Sequence, residues 1–507
     1  MRYLILTFVI FSNASFLLSQ KEGNNWLMGL GYFGSSDSSV KVNHIRFDNG
    51  VFSVSNLYVD IPFFGSSSAV SDTSGQLVCY SNGLAIYNAA HVAIPNGSGL
   101  QAGNPNSFPF GYPADQGVLV MPVPDTTNLY YIIYENSKDI TIDIVRTALK
   151  YAIVNGTQNA GTAGISAVGK LIVPTEDTLN IGYLNVVRHA NGKDWWLMTT
   201  KFKTNLHRKF LVTKSGIHFQ DNQNIGSKVE NGVGFGCYSP DGNWYARYMT
   251  YGQTSAPKGG MYLYRFDRCT GQLSEPKYKD FSMDNFVYGS VAFSPNSRYM
   301  YLARMRKLYQ YDMEATDVVA SEQVVAEYDG FLTMTGNPTH FFGLALASDG
   351  KIYCSVPNSN TNYIHVIDQP NLAGGACNFL QHAIFLPSQN FGTIPNIPDY
   401  TLGAIDTPCD TFVTTTIPVK TRTNIRVWPV PAADYLCFSV EQSLGIPLEL
   451  QIYNSSGTSV IKQQDVLLNP VYTFYINELP PGLYFYTLRD MNGNMIGKGK
   501  VVRTITK

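Results

Sequence analysis

Ser239-Pro240-Asp241-Gly242-Asn243-Trp244-Tyr245-Ala246 and Ser294-Pro295-Asn296-Ser297-Arg298-Tyr299-Met300-Tyr301-Leu302 carry one pattern: a polar turn, then an aromatic and apolar run. Ser, Pro, Asn, Asp and Gly supply the backbone angles of a tight turn, and the run after it has the composition of a buried strand. Similar turns precede Leu77, Tyr130, Trp195 and Ile352, and an apolar run from Trp26 to Leu30 stands near the start of the chain. With Trp26, Leu77, Tyr130, Trp195, Trp244, Tyr299 and Ile352 as anchors, the spacings are 51, 53, 65, 49, 55 and 53. A period near fifty residues is too long for a solenoid coil and fits a four-stranded blade of a β-propeller. Two β-sandwiches would not repeat seven similar units at one period.

Each small sheet has two apolar faces and can bury both only between neighbours, so the array is expected to close into a ring. The anchors favour a seven-bladed β-propeller over residues 22–405, with six or eight blades allowed by the irregular 65-residue interval. A strand near Tyr400 to Ile405 is expected to complete the first blade. Composition agrees with an all-β chain: of 507 residues, 33 are Tyr, 28 Phe, 44 Gly and 26 Pro. With 36 Lys+Arg against 37 Asp+Glu the net charge is -1, which leaves no electrostatic footprint for nucleic acid.

The ends of the chain are different. Met1-Arg2-Tyr3, the apolar run Leu4 to Phe11 and a small residue at Ser19 describe a signal peptide over residues 1–19. That run is about half the ~20 residues a membrane-spanning helix needs, and no later stretch qualifies as a transmembrane segment. Residues 406–425 hold seven Thr and two Pro and read as an extended linker. From 426 to 507 the pattern is compact and β: Leu448, Leu450 and Ile452 alternate before the turn Asn454-Ser455-Ser456-Gly457, and an Asn492-Gly493 hairpin follows Gly482-Leu483-Tyr484. A small Ig-like β-sandwich is expected there.

That last segment resembles the type A C-terminal sorting domain of cargo exported by the type IX secretion system of Bacteroidota. The family's Pro-Asn-Pro box stands here as Pro429-Val430-Pro431, with Val430 in place of Asn. The later boxes stand as Ile452-Tyr453 with Gly457, as Gly482 and Tyr484, and as Gly493 with Gly497 and Lys498. The resemblance implies export through the periplasm to the outer-membrane surface or the medium, with the type IX machinery as partner. The region 25–405 resembles secreted propeller proteins of the same bacteria through Arg188 to Trp196, His91 to Gly97 and Phe293-Ser294-Pro295, and it brings no activity with it.

Little in the chain spells out chemistry. None of the eight His forms an H-E-x-x-H or H-x-H motif, so no metal site is expected. The most site-like polar cluster is Arg188, His189 and Asp194, with His91 as a further candidate; turn-building explains these residues equally well. No Gly-x-Ser-x-Gly elbow is present. A glycosidase would need two carboxylates across a pocket, for which Asp115, Glu135, Asp143 and Glu176 are candidates. Asp267-Arg268-Cys269-Thr270-Gly271 occurs once and lacks a following Trp, so no quinone cofactor is expected, nor any other. Seven scattered Cys allow disulfides in an exported protein, and the odd number leaves at least one thiol unpaired. The expected function is that of a secreted or cell-surface, non-enzymatic propeller that binds protein or glycan. The alternative is an extracellular hydrolase or lyase acting on polysaccharide or peptide.

Overall fold

The computed structural model describes residues 21–29, 41–48, 50–59, 61–101, 111–141, 144–157, 164–173, 178–230, 232–253, 256–281, 288–357, 361–405, 409, 425–440, 448–466, 471–490 and 495–504. The expected signal peptide, and most of the segment expected to be a linker, lie outside these residues. The chain divides into two compact units, Met1–Cys409 and Asp410–Lys507.

Among the described residues the first unit is a succession of seven antiparallel sheets, each a meander in chain order. Sheet 1 holds Asn25–Met28, Val42–Asp48 and Val51–Leu57, and sheet 2 holds Ser68–Ser71, Leu77–Ser81, Ala85–Asn88 and Ala93–Ser98. Sheet 3 holds Val118–Pro122, Leu129–Thr141, Ile144–Asn155 and Gly164–Val173; sheet 4 holds Asn185–Arg188, Trp195–Thr200, Leu206–Thr213 and Gly216–Asn224. Sheet 5 holds Gly232–Tyr238, Trp244–Gln253, Ala256–Phe266 and Leu273–Asp280; sheet 6 holds Gly289–Phe293, Tyr299–Arg304, Lys307–Asp312 and Gln323–Glu327. Sheet 7 holds Leu344–Leu346, Ile352–Cys354, Thr361–Ile367 and Phe379–Asn390. Six of the predicted anchors sit in the second strand of a sheet, and Trp26 sits in the first strand of sheet 1.

The period-2 alternation of each strand sends its side chains to two different neighbours. Leu119 and Met121 pack with Trp195 and Leu197 of sheet 4, whereas Val118 and Val120 pack with Val70 and Cys79 of sheet 2. Trp196 and Met198 turn the other way, onto Tyr245 and Met249 of sheet 5. Trp244 and Ala246 meet Val291 and Met300 of sheet 6, and Tyr299 and Tyr301 meet Ile352 and Cys354 of sheet 7. Leu27 and Val42 cover Ala69 and Tyr80 of sheet 2. The last contact closes the succession: Trp26 lies edge-on to Tyr353 at 5.7 Å, Phe47 lies 5.6 Å from the same ring, and Phe52 stacks on it at 5.5 Å. Every sheet-to-sheet step therefore has its own apolar core.

The turns explain the quoted sequence. Ser239 Oγ accepts from Trp244 N–H at 2.9 Å, and Ser294 Oγ accepts from Tyr299 N–H at 2.9 Å, so each serine closes its hairpin onto the anchor residue. Gly242 occupies φ 73, the left-handed region that glycine enters without a Cβ clash, and Ser297 takes the same place at φ 60.

One expectation is corrected. Residues 400–405 form no strand, and among the described residues sheet 1 has three strands. Pro395 and Pro398, in the segment leading there, have no N–H to give to a ladder, and side-chain hydrogen bonds hold that segment instead.

The second unit packs two sheets. Ile425–Trp428, Tyr435–Val440 and Val471–Tyr475 form one; Ser459–Val466, Leu448–Asn454, Gly482–Asp490 and Met495–Arg503 form the other. Leu448, Leu450, Ile452, Tyr486 and Leu488 of the larger sheet meet Leu436, Phe438 and Phe474 of the smaller. Gly457 takes φ 80 in the turn after Asn454, whose Oδ1 accepts from the N–H groups of Ser456 and Thr458. Tyr484 is buried and donates to Pro480 O at 2.7 Å. Both Trp428-Pro429 and Val430-Pro431 are cis, and Gly497 and Lys498 pair with Leu488 and Thr487. Gly493 lies outside the described residues. Gly499 is a further constrained position: a Cβ there would stand 2.7 Å from the Tyr486 ring.

Leu197 is fully buried between sheets 3 and 4. Leu197→Ala is expected to lower the unfolding free energy by about 2–5 kcal/mol, the usual range for a core leucine, as read by urea denaturation. A loss within a few tenths of a kcal/mol would show that this inter-sheet core does not form.

Candidate ligand pocket in the central channel

The first strands of sheets 4 to 7 surround a central space, and the segment from Phe391 to Ile405 runs into it. Asn396 is its anchor. The backbone N–H donates to Ser67 O at 2.7 Å, and the side-chain amide donates to Val118 O at 3.0 Å and to Leu184 O at 2.8 Å. Its carbonyl accepts from Ser68 Oγ at 2.6 Å, and Thr393 Oγ1 donates to Phe63 O at 2.9 Å. Gln116 adds a link across the axis: its amide donates to Gly236 O and accepts from Gly236 N–H, both at 2.9 Å. One asparagine and one glutamine thus satisfy backbone groups of sheets that share no ladder, groups that would be costly to leave bare.

The far end of the segment is clamped as well. Arg268 donates to the carbonyls of Arg188 (2.9 Å), His189 (3.2 Å) and Gly403, and Ile405 N–H donates to Ala190 O at 3.0 Å. Beside Arg268, Cys269 is joined to Cys409 by a disulfide. Cys79, Cys237, Cys354, Cys377 and Cys437 are free.

Beside this segment a cavity of about 320 Å³ remains, at the low end of the volumes typical of small-molecule sites. Its walls are largely apolar, with Trp26, Phe235, Val291, Leu344, Ile397 and Leu402 among them. Two buried polar atoms of its wall residues, the Tyr238 hydroxyl and Asp399 Oδ2, have no hydrogen-bond partner among the described residues. Asp399 Oδ1 accepts from Thr401 N–H at 2.8 Å. Burial pushes the Asp399 carboxyl above its usual range, partly opposed by Thr401 and by the Arg188 guanidinium. Glu22 is raised for the same reason and also feels Arg188. The pocket can therefore grip an apolar body.

Arg188, His189 and Asp194 lie together in the turn between the first two strands of sheet 4. Arg188 spreads over the Trp195 ring at 4.2 Å and donates to Gly192 O at 3.3 Å. His189 Nδ1 accepts from Asn191 N–H at 3.0 Å, and Asp194 Oδ2 accepts from Asn191 Nδ2 at 2.8 Å. These bonds build the hairpin. His91 belongs to sheet 2, where Nδ1 faces the Tyr80 hydroxyl at 3.1 Å, and the fold does not bring it into the sheet 4 turn. Of the proposed carboxylates, Asp143 and Glu176 lie outside the described residues. Asp115 and Glu135 are engaged by backbone: Gly234 N–H serves Asp115, and Gly182 N–H donates to Glu135 Oε1 at 2.7 Å. Among the described residues no group of three metal-ligating side chains occurs. Sequence reasoning missed Asn396, Gln116 and Asp399; the pair of prolines flanking Asn396-Ile397 is a local signal for Asn396 and Asp399 alone.

Sheets and channel together define an all-β, propeller-like protein. Its C-terminal residues 426–502 match the secretion system C-terminal sorting domain. The protein is exported by the type IX secretion system to the cell surface or the extracellular space, with this domain engaging the machinery. No helix among the described residues is long and apolar enough to cross a membrane. No curated protein matches the chain. Among solved structures, a provisionally assigned 6-phosphogluconolactonase from Bacteroides uniformis is 12% identical, with TM-score 0.42, over 72% of this chain and 97% of its own. A second, from Bacteroides fragilis, is 11% identical with TM-score 0.37 over 73% and 98%. A quinoprotein alcohol dehydrogenase-like protein from Bacteroides thetaiotaomicron is 9% identical with TM-score 0.34 over 73% and 79%. These likenesses are distant, and no activity passes from them to this chain.

Burial makes the fold sensitive to pH in two directions. It pushes Glu135 up to about 8 and Asp115 up to about 7, so both bind protons more tightly when folded. Their contribution is fully present below the unfolded carboxyl value and is lost as pH rises through these folded values. Burial pushes His44 down to about 4, and His207 and His365 down to about 3; their contribution is lost as pH falls below 6.5. Glu135→Gln is expected to flatten the decline in stability between pH 5 and about 8, read from urea midpoints at constant salt. Wild-type and variant curves that run parallel would contradict the buried, protonated Glu135.

Proposed function

We propose that the seven sheets are the blades of a seven-bladed propeller and that the exported protein is a non-enzymatic binder of protein or glycan. The C-terminal unit is read as its Ig-like sorting module. The binding surface is the ring of turns around the open pocket beside the channel segment. The observation that carries this reading is the pocket itself: an open, aromatic-flanked space beside the channel segment, with apolar side chains on its walls. An aliphatic or aromatic side chain, or the apolar face of a sugar ring, fits such walls. The acids Asp115 and Glu135 support the same reading, because their carboxyls are engaged by backbone N–H groups and, at Glu135 Oε2, by the Tyr112 hydroxyl.

The test is a glycan-array and surface-protein binding screen with the purified exported chain, followed by a variant that fills the pocket. Ala345 is a half-buried wall residue, and Ala345→Trp is expected to weaken a ligand found in the screen at least tenfold without moving the main unfolding transition. Release of shortened saccharide or peptide from that ligand would instead establish the hydrolase or lyase reading.

A further inference from the structure

The segment that crosses the channel is held unevenly along its length. Asn396 and Tyr400 are buried, and the Tyr400 ring lies edge-on to Trp195 at 5.8 Å while its hydroxyl donates to Val120 O at 3.3 Å. Beyond Tyr400 the chain comes to the surface, with Thr401, Gly403 and Ala404 exposed. Among the described residues, the hydrogen bonds from this stretch to the sheets are those of Arg268 to Gly403 O and of Ile405 N–H to Ala190 O. Leu402 rests against the apolar core between sheets 4 and 5 and lines the pocket. Gly192 lets the stretch lie close, since a Cβ there would stand 2.6 Å from Ala404 N.

Cys409 follows, and its bridge to Cys269 fastens this stretch to the turn between the third and fourth strands of sheet 5. Cys269 and Cys409 are both half-buried, and the neighbouring Asp267 and Thr270 are exposed, which leaves the bridge at the surface. The other five cysteines are free and differently placed. Cys79, Cys354, Cys377 and Cys437 are buried, and Cys237 gives its thiol to Val291 O at 3.4 Å. Burial pushes the Cys79 and Cys354 thiols up to about 12, away from the thiolate form that takes part in exchange. Redox chemistry on this chain is thus concentrated on one bond, and that bond fastens part of the pocket wall.

We propose that residues 401–405 are a strap at the pocket wall, latched by the Cys269–Cys409 disulfide and released by a dithiol outside the cell. In the exchange, one thiolate of the dithiol attacks a sulfur of the bridge and the other cysteine leaves as a thiolate. The second thiol of the reagent then displaces the first cysteine. Two electrons and two protons pass to the protein, which carries Cys269 and Cys409 as thiols, and the reagent departs as its own disulfide. With the bridge cut, the strap swings about Tyr400, whose ring stays in the core between sheets 3 and 4, and draws Leu402 out of the wall. The latch acts on the pocket read above as the binding site and rests on that reading for what enters it; the motion of the strap does not.

The test is amide hydrogen exchange on the purified full chain, with and without dithiothreitol. Reduction is expected to speed exchange of the Ile405 N–H at least tenfold, while amides in the buried strands of sheets 3 and 4, Leu197 among them, keep their protection. Cys269→Ser combined with Cys409→Ser is expected to match the reduced protein and to ignore dithiothreitol; should that variant fail to fold, the reduced wild type decides. Anilinonaphthalene sulfonate, an apolar dye, is expected to bind several-fold more strongly after reduction, and Ala345→Trp to remove that gain. A gain that Ala345→Trp leaves intact would show that the strap does not open this pocket. Unchanged protection of Ile405 after reduction, or an equal loss of protection in all seven sheets, would overturn the latch and make the bridge a general staple. A strap that opens in exchange while the binding screen finds no ligand upholds the latch and removes only the binding reading.

Discussion

A sheet of four short strands that is greasy on both faces cannot exist alone in water. Everything in the first unit follows from that constraint. Strands such as Val118–Pro122, Trp195–Thr200 and Tyr299–Arg304 are buried along nearly their whole length because alternate side chains enter different inter-sheet cores. Burying a large apolar side chain contributes about 1.5–3 kcal/mol, so each sheet's stability resides mostly in its neighbours. An open row would leave two bare faces; the cluster of Trp26, Phe47 and Phe52 around Tyr353 removes them.

Closure around an axis creates a second problem, a channel into which backbone groups of several sheets point. The chain solves it with its own residues 391–405, and Asn396 is suited to the task because one side chain offers two donors and an acceptor. The same segment narrows the channel to a pocket and supplies Asp399 to the residues lining it. Structure and candidate function are coupled here, since whatever binds the pocket also touches the segment that holds four sheets in register.

Much of the fold was legible in the chain because the repeat is written in residues that obey local rules. A serine that caps its own hairpin stands five positions before the anchor residue in two sheets, as Ser239 before Trp244 and Ser294 before Tyr299, and other polar turns precede Leu77, Tyr130, Trp195 and Ile352. Position 400–405 was misread as a strand because its role is set by Pro395, Asn396 and Pro398 meeting distant backbone, a relation no local pattern encodes. The candidate site was less legible for the same reason. Arg188, His189 and Asp194 stand together in one turn in sequence and in space, while Asn396 and Gln116 gain their meaning from partners tens to hundreds of residues away. The Cys269–Cys409 bridge was open among many pairings until geometry selected it.

The central claim is that the first and seventh sheets share one core. A double-mutant cycle between Trp26 and Tyr353, each changed to Leu and then both together, tests it most directly, because these rings meet at 5.7 Å only if the succession closes. A coupling energy of about 0.5–1.5 kcal/mol in chemical denaturation is the predicted result for such an aromatic pair. Strict additivity of the two substitutions would contradict it.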